Sequence, residues 1–309
     1  MSGPHAARFD AMSDSTSTDT RPEWLQRSLR MEPERGEVVV AGCRINLLLW
    51  GERGKPGIVL VHGGAAHAHW WAPIAPLIGD YRVVALDLSG HGDSGRRGAY
   101  VVDLWTQEVL AAADASGADG ASVVVGHSMG GFVAVATAVA GGDDVAGTIV
   151  LDSPMVEDDP EVEAARIGEA FGVPKTYATI EDAIARFRTV PAQDNYEPNI
   201  LDYVARRSLR QTDDGWVWKF DPGLFRAISR NAAAEQLPRI RSRVAMLRAE
   251  HGLVTPEIGQ IIYENLGRVA PVVELPDSGH HMMLDQPLIL LTALRALLAD
   301  WEHSVPFHR

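Results

Sequence analysis

Six short apolar runs recur along this chain and constrain its fold more than any other feature. They are Ile58–His62 (IVLVH), Val83–Leu88 (VVALDL), Ser122–Val125, Thr148–Leu151, Val244–Leu247 and Val272–Leu275. Each is strand length, rich in β-branched residues and free of alternation, the pattern of a strand buried on both faces. Helical spacing falls between them, predicting helices at Trp70–Ile78, Val101–Ala115, Gly130–Val139 and Gln286–Trp301. Strands alternating with helices imply βαβ units, a parallel sheet and right-handed crossovers. Ahead of them Val38–Val40 and Ile45–Trp50 flank Ala41-Gly42, an opening β-hairpin. The fold class is α/β.

The alternation breaks once. From Pro154 to about Arg243 no core strand is visible, and Arg166–Phe171, Ile180–Phe187, Ile200–Leu209 and Leu224–Ala234 are expected to be helices. An insertion between two strands of an α/β sheet sits over their carboxyl ends, where ligands bind. It holds nine of the 21 aromatic residues, a concentration suited either to gluing a cap onto the core or to lining a substrate pocket. Trp216, Trp218 and Phe220 alternate, as in a short extended segment. The expected organisation is an N-terminal extension over 1–35, a core over 36–153 and 244–309, and a helical cap over 154–243. The extension carries the polar run MSDSTSTDT, which suits a flexible segment. It also carries Trp24, Leu25 and Leu29, which suit a short helix docked on a neighbouring subunit of a homo-oligomer.

Charge and cysteine content narrow the partners. With 28 basic and 41 acidic side chains the net charge is −13, which argues against nucleic acid or an anionic membrane surface. No apolar stretch approaches the ~20 residues of a membrane helix, and no secretory leader is visible. The single cysteine, Cys43, excludes an intrachain disulfide and makes the reducing cytoplasm the expected location.

The chemistry concentrates at Gly126-His127-Ser128-Met129-Gly130, directly after one apolar run and directly before a helix. G-x-S-x-G in a strand–turn–helix context is a nucleophile elbow: the tight turn strains the serine and projects Ser128 Oγ beside the helix N-terminus. His280 lies on the loop after the last apolar run and is the candidate base. Its neighbour His281 and the elbow residue His127 are expected to be structural. Gly64, in the turn after Ile58–His62, and Met129 are placed to offer backbone N–H groups as an oxyanion hole. Other motifs carry less. Gly90–Gly95 matches G-x-G-x-x-G, but Arg96-Arg97-Gly98 follows where a helix should start, so no dinucleotide is expected. His67-Ala68-His69 lacks further metal ligands in its neighbourhood, and neither metal nor cofactor is expected. Cys43 is expected to be inert.

HGGAAHAHW (62–70), DLSGHGDSG (87–95), GHSMGG (126–131) and SGHHMMLDQP (278–287) together resemble the α/β-hydrolase family over about residues 37–302. The resemblance implies an eight-stranded, mostly parallel sheet with a helical cap and a triad in the order Ser…acid…His. Serine rather than aspartate at position 128 argues against the haloalkane dehalogenases and epoxide hydrolases of that fold. In much of the family the acid sits after the strand corresponding to Val244–Leu247, but here Gly252 stands where an aspartate is expected. Two carboxylates remain: Asp152, at the end of Thr148–Leu151, and Glu250, two residues ahead of Gly252. The missing aspartate favours Asp152, as in a branch that includes some dehalogenases and bacterial zearalenone lactonases. The resemblance implies a cofactor-free serine hydrolase cleaving a small-molecule ester or lactone, in the most specific reading a macrolactone. C–C bond hydrolases, perhydrolases, cofactor-independent dioxygenases and low-turnover ligand receptors use the same fold.

Overall fold

A computed structural model describes residues 19–156, 175–227 and 233–304. Eight strands form one sheet: β1 (Glu34–Val40), β2 (Cys43–Trp50), β3 (Pro56–Val61), β4 (Arg82–Leu86), β5 (Asp119–His127), β6 (Val145–Leu151), β9 (Arg243–His251) and β10 (Val272–Gly279). Their spatial order is β1-β2-β4-β3-β5-β6-β9-β10. β2 runs antiparallel to β1 and β4, and every pair from β4 to β10 is parallel. Ala41 and Gly42, both at positive φ, close the β1–β2 hairpin, the backbone twist that a two-residue loop needs.

The apolar runs are buried on both faces because each strand feeds two cores. In β3, Val59 and Val61 enter one cluster and Ile58 and Leu60 the other; in β4, Val84 and Leu86 separate from Val83 and Ala85 in the same way. The first cluster is closed by α2 (Val102–Ala115) and α3 (Met129–Gly141), together with α6 (Pro256–Asn265). The second is closed by α1 (Glu23–Arg30) and α7 (Pro287–His303).

Three departures have local causes. The helix expected over 70–78 is two 3₁₀ turns, Ala68–Trp70 and Ala75–Leu77. Pro73 and Pro76 remove the N–H donors that a continuous helix would need. The unanticipated α6 starts at Thr255, whose hydroxyl accepts from Ile258 N–H, with Pro256 in its first turn. That cap-and-proline signal was present in the sequence. The extension, from residue 19 onward, packs on its own chain: Leu25 is fully buried, Ser28 Oγ donates to the carbonyls of Ala72 and Pro73, and Trp50 Nε1 donates to Met31 O. Trp24 and Leu29, half-buried, pack against the same core cluster as Leu25.

Between β6 and β9 the described residues form α4 (Ile180–Ile184), α5 (Pro198–Arg207) and a two-stranded hairpin of β7 (Leu209–Thr212) and β8 (Gly215–Trp218), separate from the main sheet. The expected helix at Arg166–Phe171 lies outside the described residues. Of the one over 224–234, the described residues show a 3₁₀ turn at Pro222–Ala227 and α-helix at residues 233–234; residues 228–232 also lie outside. The insertion is stapled to the loops beyond the strands' carboxyl ends. His67 bonds Ser208 Oγ at 2.8 Å, His69 bonds Tyr203 OH at 3.0 Å, Gly92 N–H donates to Lys219 O and Asp221 N–H to Gly90 O. The His67/His69 pair thus serves attachment. Trp218 packs against Tyr177 and Phe187, so these aromatics of the insertion hold it to itself. Among the described residues no helix is long and apolar enough to cross a membrane.

Burial of so many imidazoles sets a pH dependence. Desolvation lowers His62 to about 4, His69 to about 3 and His127 to about 3, and holds His67, His91 and His281 well below the ordinary histidine range. In the unfolded chain each takes up a proton near pH 6.5, so the unfolded state binds more protons as pH falls below that value and stability declines. Asp87 and Asp285, raised by burial to about 6, act oppositely between that value and the usual carboxylate range, because there the folded state holds the extra proton. Glu108, also raised by burial, acts in the same sense, and the six histidines outweigh the three carboxylates. The melting temperature is expected to stay level from pH 8 to 7 and fall steadily from pH 6.5 towards 4. A Tm flat to pH 5 in a calorimetric series would contradict this balance.

Candidate active site

The elbow is built by close approach. A Cβ on Gly126 would lie 2.1 Å from Gly130 O, and one on Gly130 would lie 2.5 Å from the carbonyl oxygens of Val61 and His62. Only glycine lets strand β5 turn this tightly into α3 beside β3. Ser128, between them, has φ 54° and ψ −119°, a conformation costing a non-glycine residue on the order of 1–3 kcal/mol. Three bonds hold it there: its N–H donates to Leu151 O at 3.0 Å, and its carbonyl accepts from Ser153 Oγ at 2.8 Å and from Gly131 N–H at 2.9 Å. Ser128 is the N-cap of α3, and Met129 is the helix's first residue, whose N–H has no intrahelical partner.

Sheet order then assembles the rest. β5, β6, β9 and β10 are consecutive neighbours, so their carboxyl ends bring together Ser128, Asp152, the loop 252–254 and His280. His280 Nε2 lies 3.0 Å from Ser128 Oγ, and His280 Nδ1 lies 2.7 Å from Asp152 Oδ2. Asp152 is fully buried, and burial works against its ionisation. His280 and the N–H groups of Leu253 and Val254 overcome that, keeping the carboxyl below its ordinary value. Asp152 Oδ2 accepts from Leu253 N at 2.7 Å, and Oδ1 from Val254 N and Ala249 N, each at 3.2 Å. Glu250 is not brought to His280; it is exposed and accepts from Asp277 N–H at 2.8 Å. The glycine at 252 acquires a reason: a Cβ there would lie 2.3 Å from Asp152 Oδ2. The space an aspartate at 252 would fill is occupied by the carboxylate of Asp152.

On the other side of Ser128 runs the loop 62–64. His62 Nδ1 bonds Gly63 O at 2.7 Å, and His62 Nε2 accepts from Leu88 N–H at 3.1 Å, so a neutral, buried imidazole braces the turn that carries Gly64. A Cβ on Gly63 would lie 3.2 Å from Ser128 Cβ, which shows how closely this loop approaches the nucleophile. Asp87 ties the neighbouring loops together by accepting from Ala68 N, Asn46 Nδ2 and Asp93 N.

Three supports hold His280, two of which, through Gln193 and Asp285, sequence reasoning passed over. His127 Nε2 donates to His280 O at 2.9 Å, fixing the backbone of the base. Gln193, from the insertion, accepts from His281 N–H at 2.9 Å, and His281 Nε2 donates to Pro191 O at 3.1 Å. Asp285 Oδ2 accepts from Gly279 N–H at 2.6 Å. Asp285 follows its histidine within one short motif and was readable in principle; Gln193 had no local signal.

A serine hydroxyl at a strained turn, a neutral-to-cationic imidazole shuttle and a buried carboxylate behind it are the parts of acyl transfer through a serine nucleophile. The class defined by fold and site is therefore a serine hydrolase built on an α/β sheet. Residues 58–293 match the alpha/beta hydrolase family, and the chain belongs to it. It is similar to esterase Rv0045c of Mycobacterium tuberculosis, at 28% identity over 85% of this chain and 88% of that one. It is also similar to a probable protein phosphatase methylesterase 1 of Caenorhabditis elegans, at 30% identity over 82% and 71%. Among solved structures, E-2-(acetamidomethylene)succinate hydrolase shares the fold with a TM-score of 0.73 at 18% identity, over 86% of this chain and 99% of that one. Family and site together make this protein a carboxylic ester hydrolase.

Proposed function

We propose that the protein cleaves a ring-closed ester, a macrolactone, through an acyl-enzyme on Ser128. The observation carrying the catalytic part is the unbroken Ser128–His280–Asp152 relay, with its 3.0 and 2.7 Å links. His280 Nε2 takes the Ser128 proton as Oγ attacks the carbonyl carbon, while Asp152 holds Nδ1–H and stabilises the imidazolium. The N–H groups of Gly64 and Met129 receive the oxyanion, a term in which one lost donor costs roughly 3 kcal/mol. The imidazolium returns its proton to the leaving oxygen; water, deprotonated by the same ring, then frees the acid. In a lactone the leaving alcohol stays tethered, so a single hydroxy acid is released.

The ring-closed substrate is supported by the acid's position at the end of β6 with glycine at 252, the arrangement of the lactonase branch that the sequence resembles. The esterase relatives support an open-chain ester equally at the level of chemistry. A fluorophosphonate probe is expected to label Ser128. In a hydrolysis panel, a resorcylic macrolactone is expected to exceed p-nitrophenyl acetate and butyrate in kcat/KM. Labelling with turnover of the open-chain esters alone would overturn the lactone. Folded protein that takes no label would overturn the nucleophile and return the dioxygenase and receptor readings.

A further inference from the structure

We propose that His127, His280 and His281 form a binding site for one divalent transition-metal ion of the zinc class, and that filling it switches hydrolysis off. One nitrogen from each ring lies within 4.8 Å of one from each of the others, and the three residues are 1%, 2% and 5% exposed. Their ring centroids are 4.7, 4.8 and 5.6 Å apart.

Proton positions follow from the partners. His127 Nε2 faces the carbonyl of His280 and His281 Nε2 faces that of Pro191. A carbonyl only accepts, so each Nε2 carries its ring's proton and each Nδ1 keeps a lone pair. Both Nδ1 atoms are buried and, among the described residues, have no hydrogen-bond partner. His127 Nδ1 lies on the nucleophile's side of its ring, since a Cβ on Gly63 would be 3.0 Å from it and 3.2 Å from Ser128 Cβ. In His280 the carboxylate of Asp152 holds Nδ1–H, which leaves the lone pair on Nε2, the atom facing Ser128 Oγ. Packing accounts for the two Nε2 bonds; it leaves two imidazole lone pairs unused in a cluster whose three rings each bring one nitrogen within 4.8 Å of the others.

Neutral imidazole nitrogens are the ligands zinc, copper and nickel prefer. Zinc–nitrogen bonds of roughly 2.0–2.1 Å require the rings to draw together. Once Nε2 of His280 is bound to the ion, it no longer accepts the proton of Ser128. Occupation of the site rests on the three rings alone; the loss of hydrolysis rests on His280 being the base.

The test uses full-length protein without a histidine tag. Equilibrium dialysis against zinc chloride at pH 7.5 is expected to give one tight ion per chain. Crystals soaked in zinc should show an anomalous peak among the three rings, and ester hydrolysis should fall with occupancy and return with EDTA. His281→Asn and His127→Asn should each weaken zinc binding at least tenfold, with inhibition scored against each variant's own metal-free rate. Absence of an anomalous peak among these rings overturns the proposal even where a variant fails to fold, and so does unchanged zinc affinity in both variants. A bound ion with an undiminished rate overturns the switch and the assignment of His280 as base together. Missing zinc with normal fluorophosphonate labelling overturns the metal site and leaves the hydrolase reading standing.

Discussion

Ser128→Ala is expected to lower kcat by about 10⁶-fold, the scale on which a serine protease loses activity with its nucleophile. The magnitude follows from how much of the site converges on one oxygen. The strained turn, the start of α3 and the 3.0 Å link to His280 all serve Oγ. Little else is lost. The hydroxyl caps no helix N–H, the backbone is held by Leu151 O and Ser153 Oγ, and both bonds survive the substitution. The variant should melt within about 1 kcal/mol of the wild type, as a side chain outside the packed core does. It should still bind substrate, which makes it suitable for trapping an intact ester. Retention of more than a percent of wild-type kcat in folded protein would move the nucleophile elsewhere.

Asp152→Asn carries the second large effect. An amide in place of the carboxylate presents its N–H₂ or its neutral oxygen to His280 Nδ1, favouring the wrong tautomer and withdrawing the charge that stabilises the imidazolium. The expected loss is about 10⁴-fold in kcat. Asparagine also misfits its other partners. Asp152 accepts from three backbone N–H groups, and an amide nitrogen turned towards any of them leaves a buried donor unpaired, at about 1–3 kcal/mol. Stability should therefore fall with activity, unlike in Ser128→Ala. Glu250→Gln is the internal control. Its side chain is exposed and bonds only Asp277 N–H, a bond glutamine's oxygen can also accept, so kcat should change less than tenfold. If the two variants ranked in the opposite order with both folded, Glu250 would be the orienting acid.

The legible parts of this protein were those governed by neighbours in the chain. Strand after strand announced itself because burial on both faces demands an unbroken apolar run, and Val59/Val61 against Ile58/Leu60 show that division directly. The elbow was legible for the same reason: the contacts forbidding a side chain at 126 involve Gly130, four residues away, so local spacing carries the geometry. Where local rules competed, the periodic pattern lost to chemistry. Residues 70–78 have helical spacing, yet two prolines withhold the donors.

The acid belongs to a different order of information. Asp152 and Glu250 were both compatible with the chain read linearly, and only the glycine at 252, where an aspartate was expected, favoured Asp152. What separates them is that β6 lies between β5 and β9 in the sheet, which sets Asp152 beside donors about a hundred residues later and gives His280 a carboxylate 2.7 Å away. Gly252 completes the arrangement from the far loop by leaving empty the volume the carboxylate fills. The same holds for Gln193 and His127, whose roles exist only because the insertion and the elbow meet the loop of the base. Residue type and spacing determined the strands, the turn and the nucleophile, since those depend on sterics within a few peptide units. Which carboxylate sits beside His280, and what braces that histidine, were decided by the packing order of the sheet, because a hydrogen bond across a hundred residues has no local signature.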